Sequence, residues 1–155
     1  MTLTNTYKNL KLNVSEELLD DIALKGKEFY PNEFGGFLIG YYSNNLLTLN
    51  ITDIVTPKKY RNGRYLFERS IEGITNIFHQ IFKTKKHYYI GEWHTHPNGT
   101  SDYSITDLNA MIEIEQNDEV IINNPVLLII SINKSQIDYS FYLYVNKKLL
   151  KYDKD

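Results

Sequence analysis

Two histidines one residue apart, His94 and His96, close a run of apolar and aromatic residues, Tyr88-Tyr89-Ile90-Gly91-Glu92-Trp93. After Pro97 and six further residues comes Ser104-Ile105-Thr106-Asp107. On a strand alternate side chains share a face, so His94 and His96 point one way and Thr95 the other. Two imidazoles on one face suit a single Zn²⁺ held through nitrogen. Ser at an N-cap with Asp three residues later makes a capping-box-like helix start, worth about 1 kcal/mol. Such a start would hold Asp107 rigidly enough for its carboxylate to reach a metal beside the strand. Two His and one carboxylate form a catalytic zinc set with a fourth position left for water. The same residue types could make a Ser/His/Asp hydrolase, but that needs its serine on a sharp turn such as Gly-x-Ser-x-Gly. Ser104 has no flanking glycines, and a second histidine two residues away has no role in that chemistry. Taken singly, His-x-His and Ser-x-x-Asp are also what an ordinary strand-to-helix connection contains.

A zinc hydrolase needs a general base, and three carboxylates are candidates. Glu92 shares strand parity with the histidines but lies one repeat further down. Asp102 falls in the loop before Ser104. Glu33 opens the glycine-rich stretch Glu33-Phe34-Gly35-Gly36-Phe37-Leu38-Ile39-Gly40, whose mouth could overlie the metal.

The elements that must position these residues follow from periodicity and caps. Ser15-Glu16-Glu17 begins an amphipathic helix over 15–30, stopped by Pro31. Residues 33–42 read as a buried strand with glycines where another backbone comes close. Asn44-Asn45 turns the chain into a second strand over 46–55. Residues 57–64 are polar and predict an exposed loop, and 65–69 a short strand. Ser70 is expected to cap a second helix over 71–86, with Ile71, Ile74, Ile77, Phe78, Ile81 and Phe82 on one stripe. A strand over 87–96 carries the histidines, with Trp93 on the opposite face packing into the core. A third helix over 104–116, a strand over 125–132 buried on both faces, and an alternating strand over 136–145 complete the pattern. The Lys-rich end reads as a frayed helix or tail. The fold class is α/β with α+β character: a central mixed β-sheet flanked by helices, in one domain spanning 1–155.

Composition narrows the chemistry. The chain has 155 residues, 42% hydrophobic and 23% charged, as a folded protein does. A formal charge of −2 with scattered Lys and Arg gives no general attraction to phosphate backbones, so no nucleic-acid partner is expected. The absence of cysteine excludes thiolate ligands, disulfides and a cysteine nucleophile. No apolar run reaches bilayer length, and Met1-Thr2-Leu3-Thr4-Asn5 lacks the features of a signal peptide, so no membrane partner and a cytoplasmic location are expected.

His94-x-His96-Pro97, six residues, Ser104 and Asp107, with Glu33 ahead of a glycine-rich apolar strand, resembles the JAMM motif of the JAB/MPN metalloprotease family. The resemblance covers residues from about Glu33 to Ile132, the spaced five-residue signature is highly specific, and no motif position departs from it. It implies a cytidine-deaminase-like MPN fold and one zinc per chain, held by His94, His96 and Asp107. Glu33 would deprotonate the nucleophilic water and pass the proton to the leaving amine, and Ser104 would donate to the oxyanion. The segment Gly91 to Gly99 most resembles bacterial stand-alone members, among them isopeptidases that accompany ubiquitin-like E1/E2 conjugation in CBASS-type anti-phage operons. The expected activity is hydrolysis of an amide or isopeptide bond after the tail of a ubiquitin-like or small sulfur-carrier protein. Expected partners are that tail or its conjugate, with E1/E2-like enzymes and a nucleotide cyclase as further candidates. The tail could add as an extended strand, with the segments Lys58 to Arg69 and Asn98 to Tyr103 as walls. Two alternatives are a catalytically silent MPN scaffold, which would usually lack a ligand, and a RadC-like DNA-repair relative, which would want a basic stripe.

Overall fold

The computed structural model describes residues 1–117 and 122–154. In chain order the elements are β1 (Thr2–Asn5), β2 (Leu10–Asn13), α1 (Glu16–Lys27), β3 (Gly35–Tyr42), β4 (Thr48–Val55), β5 (Lys59–Gly63), β6 (Leu66–Ser70), α2 (Thr75–Lys85), β7 (Tyr88–Pro97), α3 (Ile105–Gln116), β8 (Val126–Ile132), β9 (Ile137–Val145), β10 (Lys148–Lys151) and β11 (Asp153–Lys154). Nine strands form one mixed sheet in the order β10-β9-β8-β7-β3-β4-β2-β1-β11, and β5 and β6 form a separate hairpin. The expected α/β class with a central mixed sheet is what the chain adopts.

β10 and β11 are separated by Tyr152 alone, yet they pair with opposite ends of the sheet, β9 and β1. Asn5 ties the junction by donating to the carbonyls of Leu150 and Lys151, at 3.0 and 3.3 Å. The sheet is therefore curled, and its last segment bridges both edges, which satisfies backbone groups that open edges would leave unpaired.

The curl encloses α1. Ser15 caps that helix by accepting from the Leu18 amide, and Leu19, Ile22 and Ala23 are buried against Trp93, Leu128, Ile130, Phe141, Leu143 and Tyr152. Gly26 lets the helix lie close under β7, because a Cβ there would collide with the Thr95 side chain. On the outer face Phe37, Ile39, Tyr89, Leu127 and Ile129 meet Met111 and Ile114 of α3 and Ile77 and Phe78 of α2. β8 lies between the two cores and is buried along its whole length, as its unbroken apolar sequence requires.

Three expectations are corrected. The segment 57–64 is not a loop but mostly β5, paired with β6 from Lys59↔Ser70 to Gly63↔Leu66. Apart from Tyr60 the strand is charged, polar or glycine, with Arg61 paired across to Glu68, so hydrophobic alternation could not reveal it. The second helix starts at Thr75, not 71: Ser70 ends β6 and its Oγ accepts from the Glu72 amide, and Gly73 turns the chain at φ +84°. The Lys-rich end is neither helix nor tail, since Tyr152 is buried and β10 and β11 close the sheet.

Tyr152→Ala tests that closure. Loss of a buried aromatic is expected to cost about 3 kcal/mol, lowering the thermal midpoint by roughly 6–12 °C for a chain of this size. A midpoint within 2 °C or so of the wild type, read by circular dichroism, would show that the last segment does not hold the curl.

Candidate active site

The site lies at the C-terminal end of β7, where that strand runs parallel to β8 and hands over to α3. Trp93 and Thr95 are fully buried in the inner core, which forces the alternate residues His94 and His96 onto the outer face. Gly35 pairs with His94 across β3 and β7, and a Cβ there would strike the Trp93 carbonyl and sit 2.7 Å from the His94 Cβ. The glycine is needed for β3 to lie against the histidine-bearing backbone.

Asp107 is brought to the same place by the loop and the helix start. Asn98 donates its amide to the Ile132 carbonyl at 2.8 Å and accepts from the Tyr30 hydroxyl at 2.7 Å. Ser131 of β8 holds the Gly99 carbonyl at 2.6 Å. Tyr142 donates to the Ser101 carbonyl at 3.0 Å, and Ser101 and Ser140 hydroxyls meet at 2.8 Å. With both ends of the loop pinned, α3 opens with a full capping box. Ser104 Oγ accepts from the Asp107 amide at 3.2 Å, and Asp107 Oδ2 accepts from the Ser104 amide at 2.7 Å.

The donor atoms converge. His94 Nε2 lies 2.8 Å from Asp107 Oδ1, His96 Nε2 lies 3.2 Å from Asp107 Oδ2, and the two Nε2 atoms are 3.2 Å apart. A tetrahedral ion with bonds of about 2.0–2.1 Å spaces its ligand atoms about 3.3 Å apart. His96 Nδ1 sits 3.0 Å from the Thr100 carbonyl, which can only accept, so Nδ1 carries a proton, and in the neutral ring that leaves the Nε2 lone pair for a metal. The three residues thus fit a zinc ion in donor type and spacing, and they are the group among the described residues that could hold a metal.

The charges agree with this arrangement. Burial would raise the Asp107 pKa, but hydrogen bonds from His94, His96 and the Ser104 amide outweigh it and hold the carboxylate far below its usual range. Burial would lower the His96 pKa, but Asp107 overcomes it and raises it. Glu33 is raised above the ordinary carboxylate value, mainly by burial, with His94 and His96 opposing and Asp107 adding.

The other expected site residues share one cleft of about 510 Å³, lined by Glu33, His94, His96, Ser104 and Asp107. Glu33 precedes β3 and is gripped by the hairpin: its amide donates to the Gly63 carbonyl at 2.8 Å, and its carbonyl accepts from Asn62 Nδ2 at 3.0 Å. The Phe34 amide donates to Thr95 Oγ1 at 3.0 Å, and the Thr95 amide donates to the Phe34 carbonyl at 2.8 Å. Phe34, the residue after Glu33, is therefore locked to the residue between the two histidines. Of the rival bases, Glu92 is buried and already bonded to Arg69 and Tyr89, while Asp102 is exposed in the loop and is not part of the cleft lining. Arg64 to Arg69 and Pro97 to Gly99 form facing walls, so both segments expected to flank the site contribute. Asn62, Arg69, Tyr30 and Ser131 escaped sequence reasoning; the one visible signal was a serine inside the apolar run of β8.

The chain belongs to the prokaryotic JAB family: the profile of prokaryotic homologs of the JAB domain matches residues 15–143. A protein of Enterobacter hormaechei subsp. hoffmannii (strain UCI 50), named CD-NTase/cGAS isopeptidase, is 38% identical over 118 residues, covering 76% of this chain. The match spans 65% of that relative's length. The solution structure of protein DSY2949 from Desulfitobacterium hafniense superposes with a TM-score of 0.64 over 90% of this chain and 88% of that one, at 13% identity. That likeness is one of fold. Among the described residues, no helix is long and apolar enough to cross a membrane.

Zinc at about a thousand times its dissociation constant should stabilise the chain by about 4 kcal/mol, a rise of roughly 8–16 °C in thermal midpoint over chelator-treated protein. Asp107→Ala should abolish the rise, and Ser104→Ala should keep it. Equal loss in both variants would mean that Ser104 matters chiefly as the cap that aims Asp107.

Proposed function

We propose that this chain, as a single domain over 1–155, is a zinc metallo-isopeptidase that removes a ubiquitin-like protein from its conjugate in a bacterial, anti-phage conjugation system. The observation that carries the reading is the meeting of His94, His96 and Asp107 with Glu33 and Ser104 in one cleft. The complete ligand set weighs against a silent scaffold. The naming of a 38% identical relative as a CD-NTase/cGAS isopeptidase supports the bond type and the association with a nucleotide cyclase. On this reading E1/E2-like enzymes build the conjugate, and the reaction takes place in the cytoplasm.

His94, His96 and Asp107 would hold the ion. Zinc bound there supplies Lewis acidity and lowers the pKa of water towards about 7. Glu33 takes the proton from the attacking water on its carboxylate and delivers it to the leaving amine. Its pKa, raised by burial, brings it nearer the operating pH, which suits a group that must both accept and donate. Ser104 Oγ accepts from the Asp107 amide, which leaves its own hydrogen free to donate to the scissile carbonyl oxygen as negative charge develops. Arg69 to Leu66 of β6 on one side and Pro97 to Gly99 on the other leave an entry for an extended tail. The tail would gain main-chain hydrogen bonds as an added strand and selectivity from side-chain pockets.

Zinc-loaded Glu33→Ala should retain its metal and lose turnover by roughly 10²- to 10⁴-fold. Used as a trap in a lysate of the source cells, it should capture conjugates that mass spectrometry resolves as a ubiquitin-like tail joined to a target amine. The wild type should cleave those same conjugates. Captured conjugates that the zinc-loaded wild type leaves intact would contradict the reading.

A further inference from the structure

Besides its bonds to the Glu33 backbone, the hairpin β5–β6 is joined to the sheet by two kinds of side-chain contact, and they do different jobs. Phe67 and Tyr60 pack on Phe34 with ring centroids 5.7 and 5.2 Å apart. Such aromatic contact brings the hairpin close but tolerates sliding, because apolar attraction is weakly directional. Two residues along β6, on the face that carries Phe67, stands Arg69. Its Nε donates to Glu92 Oε1 at 2.7 Å, its Nη2 donates to the same oxygen, and the Tyr89 hydroxyl donates there at 2.8 Å. Three donors on one carboxylate oxygen fix a position, not merely a proximity. Glu92 is one strand repeat from His94 on the same face of β7, and its side chain is 9% exposed against 21% for Arg69.

We propose that Arg69 and Glu92 form a positioning latch that sets the register of the hairpin on β7 and thereby holds Glu33 at its place over His94, His96 and Asp107. The link is direct. The far end of the hairpin supplies both backbone partners of Glu33, the Gly63 carbonyl and Asn62 Nδ2, so any slip of β6 moves Glu33 with it. The pair also stands between the metal-ligand cleft and a second pocket of about 250 Å³ behind it, since both residues line both spaces. Releasing the pair would open one into the other and leave the Glu92 carboxylate without its cation, held by the Tyr89 hydroxyl. Neither residue touches the reacting atoms in the proposed reaction; both act through Glu33. The consequence for turnover rests on the reading of Glu33 as the base, but the latch itself is tested without substrate.

The test uses four zinc-loaded proteins: wild type, Arg69→Gln, Glu92→Gln, and the double variant Arg69→Met/Glu92→Leu, which removes both charges together and keeps the volume. Metal content, thermal midpoint and amide hydrogen exchange at Glu33 are measured on each. Each single variant should keep its zinc, unfold at lower temperature and exchange the Glu33 amide at least about tenfold faster. The double variant should regain the midpoint, as apolar replacements of buried pairs often do, and still exchange the Glu33 amide about tenfold faster than the wild type. Wild-type exchange at Glu33 in a double variant of wild-type stability would overturn the proposal and leave the pair as core filling. Should the double variant fail to fold, Arg69→Lys decides instead: it keeps the charge but loses the two-pronged contact. Exchange between those of the wild type and Arg69→Gln would support the latch, and wild-type exchange would refute it.

Discussion

Everything at the site depends on the Asp107 carboxylate. One of its oxygens closes the helix cap by accepting from the Ser104 amide, and the two oxygens together meet both imidazoles. Helix start and candidate metal-ligand set are thus one hydrogen-bonded unit, and neither can move without the other. The negative charge is tolerated at a nearly buried position because the first turn of α3, with its free amides, and two histidines surround it. Local chain geometry rather than a flexible side chain fixes where a metal would sit.

The scaffold serves that unit by giving β7 two different faces. Its inner face carries Trp93 and Thr95 against α1, packed closely enough that Gly26 admits no side chain. Its outer face carries Glu92, His94 and His96 in succession, and each has a fixed partner: Arg69, Asp107, and Asp107 with Thr100. The parallel neighbour β8 anchors the loop that follows, through Ile132 and Ser131. The curl of the sheet, closed by its last segment, makes the inner core one unbroken support beneath the ligands.

Much of this could be read from the residues, and the rest could not, for identifiable reasons. The helices over 15–30 and 104–116 and the strands around 33–42, 87–96 and 125–132 declared themselves through apolar period and caps, and the structure places them within a few residues. Strand parity put His94 and His96 on one face and Trp93 on the other. The strand at 65–69 was expected and is β6, but its partner at 59–63 escaped because apart from Tyr60 it is charged, polar or glycine, leaving no apolar alternation. β1, β2, β10 and β11 are short, and β1 finds β11 across almost the whole length of the chain, information that no local pattern holds. The nearness of Glu33 to the histidines was supplied by family resemblance, not by spacing. Its physical cause, two backbone bonds to the hairpin and a clasp between Phe34 and Thr95, is tertiary.

On the proposed reading, His94, His96 and Asp107 hold one zinc ion. X-ray absorption at the zinc edge of the chain loaded with one equivalent of zinc tests it most directly. Four nitrogen or oxygen neighbours at about 2.0–2.2 Å, with the outer-ring scattering of two imidazoles, is the predicted result. A six-coordinate, all-oxygen environment, or a spectrum without imidazole scattering, would contradict it.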